Sequence, residues 1–594
     1  MNKTNNMGPK KTEQKNMNII PVKNRVSVPK KYPTKFSPLA KQVVKIIFLG
    51  GLNQIGKNMT AIEFGGDIII IDCGTAFPDG EMPGVDLVIP DFSYIEANKQ
   101  KIKALIVTHG HEDHIGAVPY LIKKLNIPVY ATPFTTGLIT YKLKEHKLLG
   151  NSKLFKFRAG QNFNIGIFNI EFVHINHSIP DAVALVISTP IGKIVHTGDF
   201  KIDFTPAKGQ MINLARFAEL GKENILLLMA DSTNADRPGY TKSEKNINES
   251  FEFLFQKACN KRIIIATFAS NIGRIQQIID CAVKNNRKIM FSGRSMINYV
   301  SVALELNYIN APEGAIVDID NLGRYKYNEV VIVTTGSQGE PMSALSKMAH
   351  SEHRKILVGT NDFVIISAHP IPGNEKSVSN VVNDLMKLGC EVIYESNLDV
   401  HVSGHASQEE LKIIQALVKP KYFIPVHGEC KHLASHAKIA EDMGLLEDNV
   451  LVCDAGDVVE ISSSGIKKVD KAPCELIMVD GDGVGDVGSV VLNDRRHLGE
   501  DGVIVIVTAI RLREKRIFAG PDIYSRGFVY VKESEELMSE ARKTAIKTIL
   551  GCFENSNCDW NMIKMECRDV FYKFFYEKTR RNPLVLPIIL EVKR

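Results

Sequence analysis

Seven consecutive residues constrain this chain more than any other feature: Thr108-His109-Gly110-His111-Glu112-Asp113-His114, directly after the apolar run Ala104-Leu105-Ile106-Val107. A β-branched run closed by polar residues is a strand signal, so three imidazoles and a carboxylate are expected at a strand end. That donor set suits a borderline cation such as Zn²⁺ or Mn²⁺. In an extended loop His109 and His111 share one face and can chelate one ion. Asp113 and His114, where the chain turns into a helix, can address a second. The helical zincin spacing is absent, because His109 and His114 are five apart. A solvated polar loop is the alternative, but this segment concentrates three of the sixteen histidines in six positions. Such a site needs ligands from distant segments. His177 in INHSIPD, Asp199 in HTGDF, His427 in PVHGE and Asp72 in IIIIDCG each close an apolar run, so the fold must gather several strand ends at one edge.

The cadence of the chain supplies such a fold. From Val43 to about residue 213, short β-branched runs (VVKIIFLGG, ALIVTHG, FNIEFVHI, VALVIST, KIVHTGD) follow one another with few helices. This suggests two stacked sheets. From about Leu214, ILLLMADST, RIIIATFAS, KIMFSG, AIVDID, VVIVTTGS and KILVGTNDFVIISAH alternate with amphipathic stretches such as NIGRIQQIIDCAVKNN. Strand–helix alternation predicts a parallel sheet. Histidine-bearing strands and turns return over 386–465, and 466–594 reads as a small α/β domain without clustered ligands. At 594 residues the chain is expected to form two to four domains.

The net charge of +6 is concentrated at the N-terminus, where residues 1–45 hold eleven Lys/Arg against Glu13, leaving −4 over 46–594. Residues 1–40 are expected to be a disordered basic tail, either gripping phosphates or merely solubilising. No apolar run approaches the roughly 18 residues that span a bilayer, and no secretory leader or membrane association is expected. Ten scattered cysteines without a CxxC pair read as reduced, mostly buried thiols in a cytoplasmic protein.

On these residues the chain shows a resemblance. HxHxDH, the HSIPD histidine and the GDF aspartate look like the metallo-β-lactamase superfamily. Asp231-Ser232-Thr233, Gly404–Ser407 and Val426–Glu429 resemble its β-CASP nucleic-acid-processing branch. TFASN (267–271), SGRSM (292–296), TTGSQGEPMSAL (334–345), HVSGHAS (401–407) and VGDVGSVVLNDRR (484–496) are similar to bacterial ribonuclease J. The resemblance runs from about residue 43 to 594 and departs at Gly273, where many relatives carry histidine. It implies an α/β fold: a four-layer αββα metallo-β-lactamase core (41–213 and 386–465), an inserted parallel-sheet β-CASP domain (214–385) and a C-terminal α/β assembly domain (466–594).

It also implies roles. His109, His111 and His177 would bind one divalent ion, Asp113, His114 and His427 a second, and Asp199 would bridge them. Zn²⁺ is the expected metal, with Mn²⁺ or Mg²⁺ as alternatives, and the pair would generate hydroxide and neutralise transition-state charge. Asp72 would orient a ligand histidine from behind. His405 would be the general acid, tuned by Asp231, or else bind substrate only. His401, Val402, Ser403, Gly404 and His405, with Phe268, Ala269, Ser270 and Asn271, would hold a terminal phosphate and its nucleotide. The implied activity is 5′→3′ exonucleolytic and endonucleolytic cleavage of RNA, favouring 5′-monophosphate ends, in rRNA processing and mRNA decay. Expected partners are RNA, further copies as a homodimer or homotetramer, and an RNA helicase or the ribosome. Competing readings are a β-CASP nuclease acting on DNA, a thioester hydrolase of the glyoxalase II kind, and a non-catalytic RNA-degradation scaffold.

Overall fold

The computed structural model describes residues 42–340, 343–371, 374–394, 400–529, 534–555 and 558–592. The expected tail at 1–40 lies outside the described residues. Two compact units are present, one of residues to Ala76 together with Ile89–Leu476, the other of Phe77–Val88 with the chain from Ile477 onward.

In the first unit an eight-stranded sheet runs Ile466–Lys471, Asp457–Ile461, Val44–Gly50, Met59–Phe64, Asp67–Ile71, Ile102–Ile106, Val129–Ala131, Leu154–Lys156. A six-stranded sheet runs Tyr422–Val426, Ile225–Asp231, Gly192–His196, Val183–Thr189, Phe168–His174, Asn162–Ile165. Alternate side chains of both sheets interdigitate: Ile46, Phe48, Ile62, Ile69 and Ile71 from the first meet Phe172, Leu185, Ile187, Leu227 and Ile424 from the second. The outward residues of the first sheet, such as Ile47, Ile68, Ile70 and Leu105, are fully buried as well. The outer face of the second packs Val186, Val195 and Leu228 against Phe217, Leu411 and Ile414 of helices Leu214–Leu220 and Gln408–Val418. Burial on both faces explains why these strands read as continuous apolar runs rather than as an alternation. This is the expected layered α/β core.

A five-stranded, all-parallel sheet follows, in the order Lys288–Ser292, Val330–Thr334, Arg262–Ala266, Asp362–Ile366, Glu391–Tyr394. Sheet membership differs from the expected division in several places. Ile225–Asp231, expected in the parallel sheet, pairs instead with Gly192–His196 and Tyr422–Val426 in the core. Glu391–Tyr394, expected beyond residue 385 in the core, is the edge of the parallel sheet. Ile466–Lys471, expected in the C-terminal domain, pairs with Asp457–Ile461. The AIVDID run forms only an isolated bridge, Ile289 to Ile316. Of the strands and turns expected over 386–465, HVSGHAS is a loop.

The second unit has the strands Arg516–Arg526, Val503–Arg511 and Leu584–Glu591, covered on one face by helices Glu535–Glu554 and Trp560–Thr579. The segment Phe77–Val88, unforeseen from sequence, belongs to it. All ten cysteines are free, six of them buried. No described helix is long and apolar enough to cross a membrane.

Candidate metal centre and nucleotide site

The strand Ile102–Ile106 delivers Thr108 and His109 to the edge between the two core sheets, and Glu112–Ile115 turns into a short helix carrying Asp113 and His114. The other strands end beside them. The result is two donor groups, His109/His111/His177/Asp199 and Asp113/His114/Asp199/His427, with the donor atoms of each within 4.8 Å of one another. Asp199 belongs to both. Its Oδ2 lies 3.2 Å from His114 Nε2, 3.6 Å from His109 Nε2 and 3.9 Å from His177 Nε2.

The hydrogen bonds around these rings decide which nitrogen faces inward. Thr108 Oγ1 donates to Asp72 Oδ2 (2.9 Å), so it accepts from His109 Nδ1 (3.0 Å). Asp72 Oδ2 also accepts from His114 Nδ1 (2.8 Å). The Gly404 carbonyl accepts from His177 Nδ1 (2.8 Å). Thr233 Oγ1 donates to Asp231 Oδ1 (2.7 Å) and therefore accepts from His427 Nδ1 (2.7 Å). In four rings the outer nitrogen is thus a donor, and a neutral ring presents its Nε2 lone pair inward. His109 Nε2 and His177 Nε2 both face His111 Nδ1, at 3.1 and 3.0 Å. His111 Nδ1 carries at most one proton, so at least one pair of lone pairs meets unbridged. Separations of this size are close to the roughly 3.3 Å edge of a nitrogen tetrahedron around Zn²⁺. The donor set therefore fits a divalent ion.

Electrostatics agree. Burial, reinforced by neighbouring imidazoles, holds His109 and His177 well below the usual histidine range, and burial sets His111 at about 4. On the other side burial is outweighed by Asp199, Asp113 and Asp72, which raise His114 well above its ordinary value. Against the same burial, Asp199 and hydrogen bonds to Asp113 and Asp231 push His427 up to about 10. Despite burial, His114 and His427 above all hold Asp113 and Asp199 well below the carboxylate range. A cation among these groups competes directly with those protons.

A third group, Asp231/His405/His427, adjoins the second. His405 Nδ1 lies 2.7 Å from Asp231 Oδ2, and its ring stacks on His427 with centroids 5.5 Å apart. Burial disfavours a proton on His405, yet the Asp231 charge and hydrogen bond raise it above the usual value. The His405 side chain keeps 20% exposure, so it can meet a substrate.

The 401–407 loop begins next to the C-terminal ends of the central parallel strands. Phe268 and His401 have ring centroids 6.2 Å apart. Val402 is buried, and Ser403 Oγ accepts from Asn234 Nδ2 (2.9 Å) and His405 N (3.2 Å), with no acceptor for its own proton among the described residues. A Cβ on Gly404 would lie 2.8 Å from His177 Nδ1, so glycine is required there. Phe268, Ala269 and Ser270 are part-exposed beside this loop. Asn271, expected to contact the nucleotide, is buried, and its Oδ1 caps helix Ile272–Lys284 by accepting from Arg274 N. That oxygen is committed to the helix.

Sequence reasoning missed Thr108 and Thr233, whose hydroxyls relay between carboxylate and imidazole. It also missed Asn234, which holds both Ser403 and the His405 carbonyl (3.0 Å), and His369, whose ring lies 6.5 Å from that of His401. Only the DST motif, in which Thr233 and Asp231 share one turn, offered a signal.

Comparisons with known proteins match four stretches of the chain. Residues 53–207 match the metallo-beta-lactamase superfamily, 260–385 the ribonuclease J beta-CASP domain, 393–452 the Zn-dependent metallo-hydrolase RNA specificity domain and 490–592 the ribonuclease J C-terminal domain. Ribonuclease J2 of Bacillus subtilis is 42% identical over 549 residues, 92% of this chain and 99% of the relative. Ribonuclease J 1 of Streptococcus pyogenes is also 42% identical, over 92% and 97%. Ribonuclease J of Corynebacterium glutamicum is 40% identical, over 92% and 76%. The crystal structure of a protein of unknown function from Enterococcus faecalis V583 shares the fold, at a TM-score of 0.50 and 17% identity over 70% of this chain and all of that one. With two fifths of the aligned residues identical to the first two relatives over nearly their whole length, the chain belongs to the ribonuclease J family.

Proposed function

We propose that this protein is a metal-dependent ribonuclease that removes nucleotides 5′→3′ from RNA with a 5′-monophosphate and also cuts internally, in RNA maturation and decay. The observation that supports this best is the inward orientation of the His109, His114 and His177 Nε2 atoms around Asp199, with His427 Nε2 turned to Asp113, beside the Asp231-paired His405 and a glycine-containing polar loop. His109, His111, His177 and Asp199 would hold one divalent ion, and Asp113, His114, Asp199 and His427 another, with Zn²⁺ as the expected metal. Bound there, such ions supply Lewis acidity toward water and the phosphoryl oxygens.

The chain's own groups do the rest. Asp72, through His114 and Thr108, and Asp231, through Thr233, fix the ligand rings. His405 holds a proton on the ring that Asp231 grips at Nδ1, leaving Nε2–H to donate to the departing 3′-oxygen. Ser403 O–H and the 402–404 amides would donate to the terminal phosphate, with Phe268 beside the base. The C-terminal unit is proposed to mediate a homodimer or homotetramer.

The test is a gel of 5′-labelled RNA bearing one, three or no phosphates, with a matched DNA oligomer, run with and without chelator. Release of labelled mononucleotide, fastest from monophosphorylated RNA and abolished by chelator, is expected. Cleavage of DNA alone would establish the DNA-nuclease alternative, and no metal-dependent cleavage of either would favour a scaffold.

A further inference from the structure

Behind the 401–407 loop lies a buried charge cluster outside the metal centre. Arg274, in the first turn of helix Ile272–Lys284, is wholly buried. Its Nη1 donates to the Val400 carbonyl (2.8 Å) and to Ser367 Oγ (2.6 Å), and its Nη2 donates to Glu244 Oε2 (2.8 Å). Ser367 Oγ donates to the same Val400 carbonyl (2.5 Å). Glu244 Oε1 in turn lies 3.7 Å from Lys201 Nζ, which is 3.5 Å from Asp203 Oδ2. Lys201 and Asp203 follow Asp199 within four residues and are both buried.

Two cations and two carboxylates thus form one chain of contacts from the Asp199 segment of the core to the residue preceding His401. A buried charged cluster adds little stability over a well-packed apolar one, so its distinctive contribution is fixed geometry. The loop needs that, because residues 400–407 join no sheet. Its far end is held by Asn234 and Thr241, which both donate to the His405 carbonyl. Its near end is held through Val400. Just inside that end, His401 Nδ1 is buried and has no hydrogen-bond partner among the described residues. Here the loop keeps an open polar position.

We infer that Arg274 is a positioning residue that fixes the terminal-phosphate loop at a set distance from the metal centre, and so sets the preference for 5′-monophosphorylated ends. Fully buried, it cannot touch substrate. It acts by clamping Val400, with Glu244 and Lys201 as the counterweight. The inference rests on the reading of 401–407 as a phosphate loop.

The test compares the full-length wild type, Arg274→Lys, and the double variant Arg274→Met/Glu244→Gln, which leaves no charge stranded between that pair. Substrates are one RNA oligomer with a 5′-monophosphate and the same oligomer with a 5′-hydroxyl. Lysine cannot reproduce the forked contacts to Val400, Ser367 and Glu244. The expected result is a rise of about tenfold in KM for the monophosphate with kcat changed less than about threefold and the hydroxyl substrate unaffected. The double variant should shift the same way. A folded variant that keeps the wild-type preference overturns the inference. Equal loss on both substrates, or failure of both variants to fold, marks the cluster as merely structural and also overturns it. A wild type indifferent to the 5′ group refutes the phosphate reading of the loop, and the inference with it.

Discussion

Thr233 shows how one hydroxyl can decide the state of a metal ligand. It donates to Asp231 and accepts from His427 Nδ1, so His427 points Nε2 toward Asp113, 3.2 Å away. Valine has the same shape and no hydroxyl. Thr233→Val is therefore expected to weaken activity and metal affinity by about 10–100-fold, as loss of a ligand-orienting partner does. Metal titrations followed by activity and by calorimetry would check this; wild-type affinity would contradict the relay. Gly404 offers the complementary case. A methyl there meets His177 Cε1 and Nδ1 at 2.8 Å and Ser178 Oγ at 2.9 Å. Gly404→Ala should cut kcat/KM by at least about a hundredfold while the melting temperature falls by only a few degrees, because displacement of roughly 1 Å at a reacting centre is costly. At this scale the candidate ligands were legible, because His109, His111, Asp113 and His114 announce themselves by local spacing. The residues that orient them were not, since a threonine's choice of partner is settled only by strands that meet in space.

At the scale of strands, the same apolar texture hides different memberships. Ile225–Asp231 is buried at every position and pairs in parallel with both neighbours, Gly192–His196 and Tyr422–Val426. Nothing in its sequence distinguishes it from Arg262–Ala266, which is equally buried and parallel in the other sheet. Ile466–Lys471 was misplaced for the opposite reason: it is exposed along most of its length and lacks a core pattern. A charge contact helps hold it. Asp457 accepts from Lys468 Nζ (2.8 Å) and Lys471 Nζ (2.9 Å) across the strand pair. Burial alone would raise its pKa, but the Asp454 amide and both lysines bring it down to about 2. A depressed carboxylate contributes stability above its unfolded value near 3.9, and that contribution is lost as pH falls toward 2. Both lysines are exposed and screened by solvent, so the contribution is small. Urea midpoints of wild type and Asp457→Asn should therefore differ at pH 5 and converge by about pH 2. A constant gap would assign the effect to packing.

Across the whole molecule, chain order and compact units part company at Phe77–Val88. This segment leaves the core after the strand Asp67–Ile71 and joins the unit formed from Ile477 onward. There the Val479 carbonyl accepts from Asp86 N (2.9 Å), Asp86 Oδ2 accepts from Gly481 N (2.8 Å), Arg495 donates to the Pro83 carbonyl (3.0 Å), and Arg496 pairs with Glu81 at 2.7 Å. Sequence could not reveal this, because a polar, Gly- and Pro-containing stretch looks the same whether it wanders in solvent or is bound by residues four hundred positions away. Two truncations separate the consequences. A cut after Gly465 removes Ile466–Lys471 and with it the partners of Asp457, whereas a cut after Leu476 keeps that strand. The shorter chain should melt several degrees below the longer one. Both should become cleavable at Glu81 by a glutamate-specific protease that spares this site in the full chain, since the segment's hydrogen-bonding partners are gone and locally unfolded backbone is what proteases select. Equal resistance of Glu81 in all three chains would show that 77–88 is held by something other than the C-terminal unit.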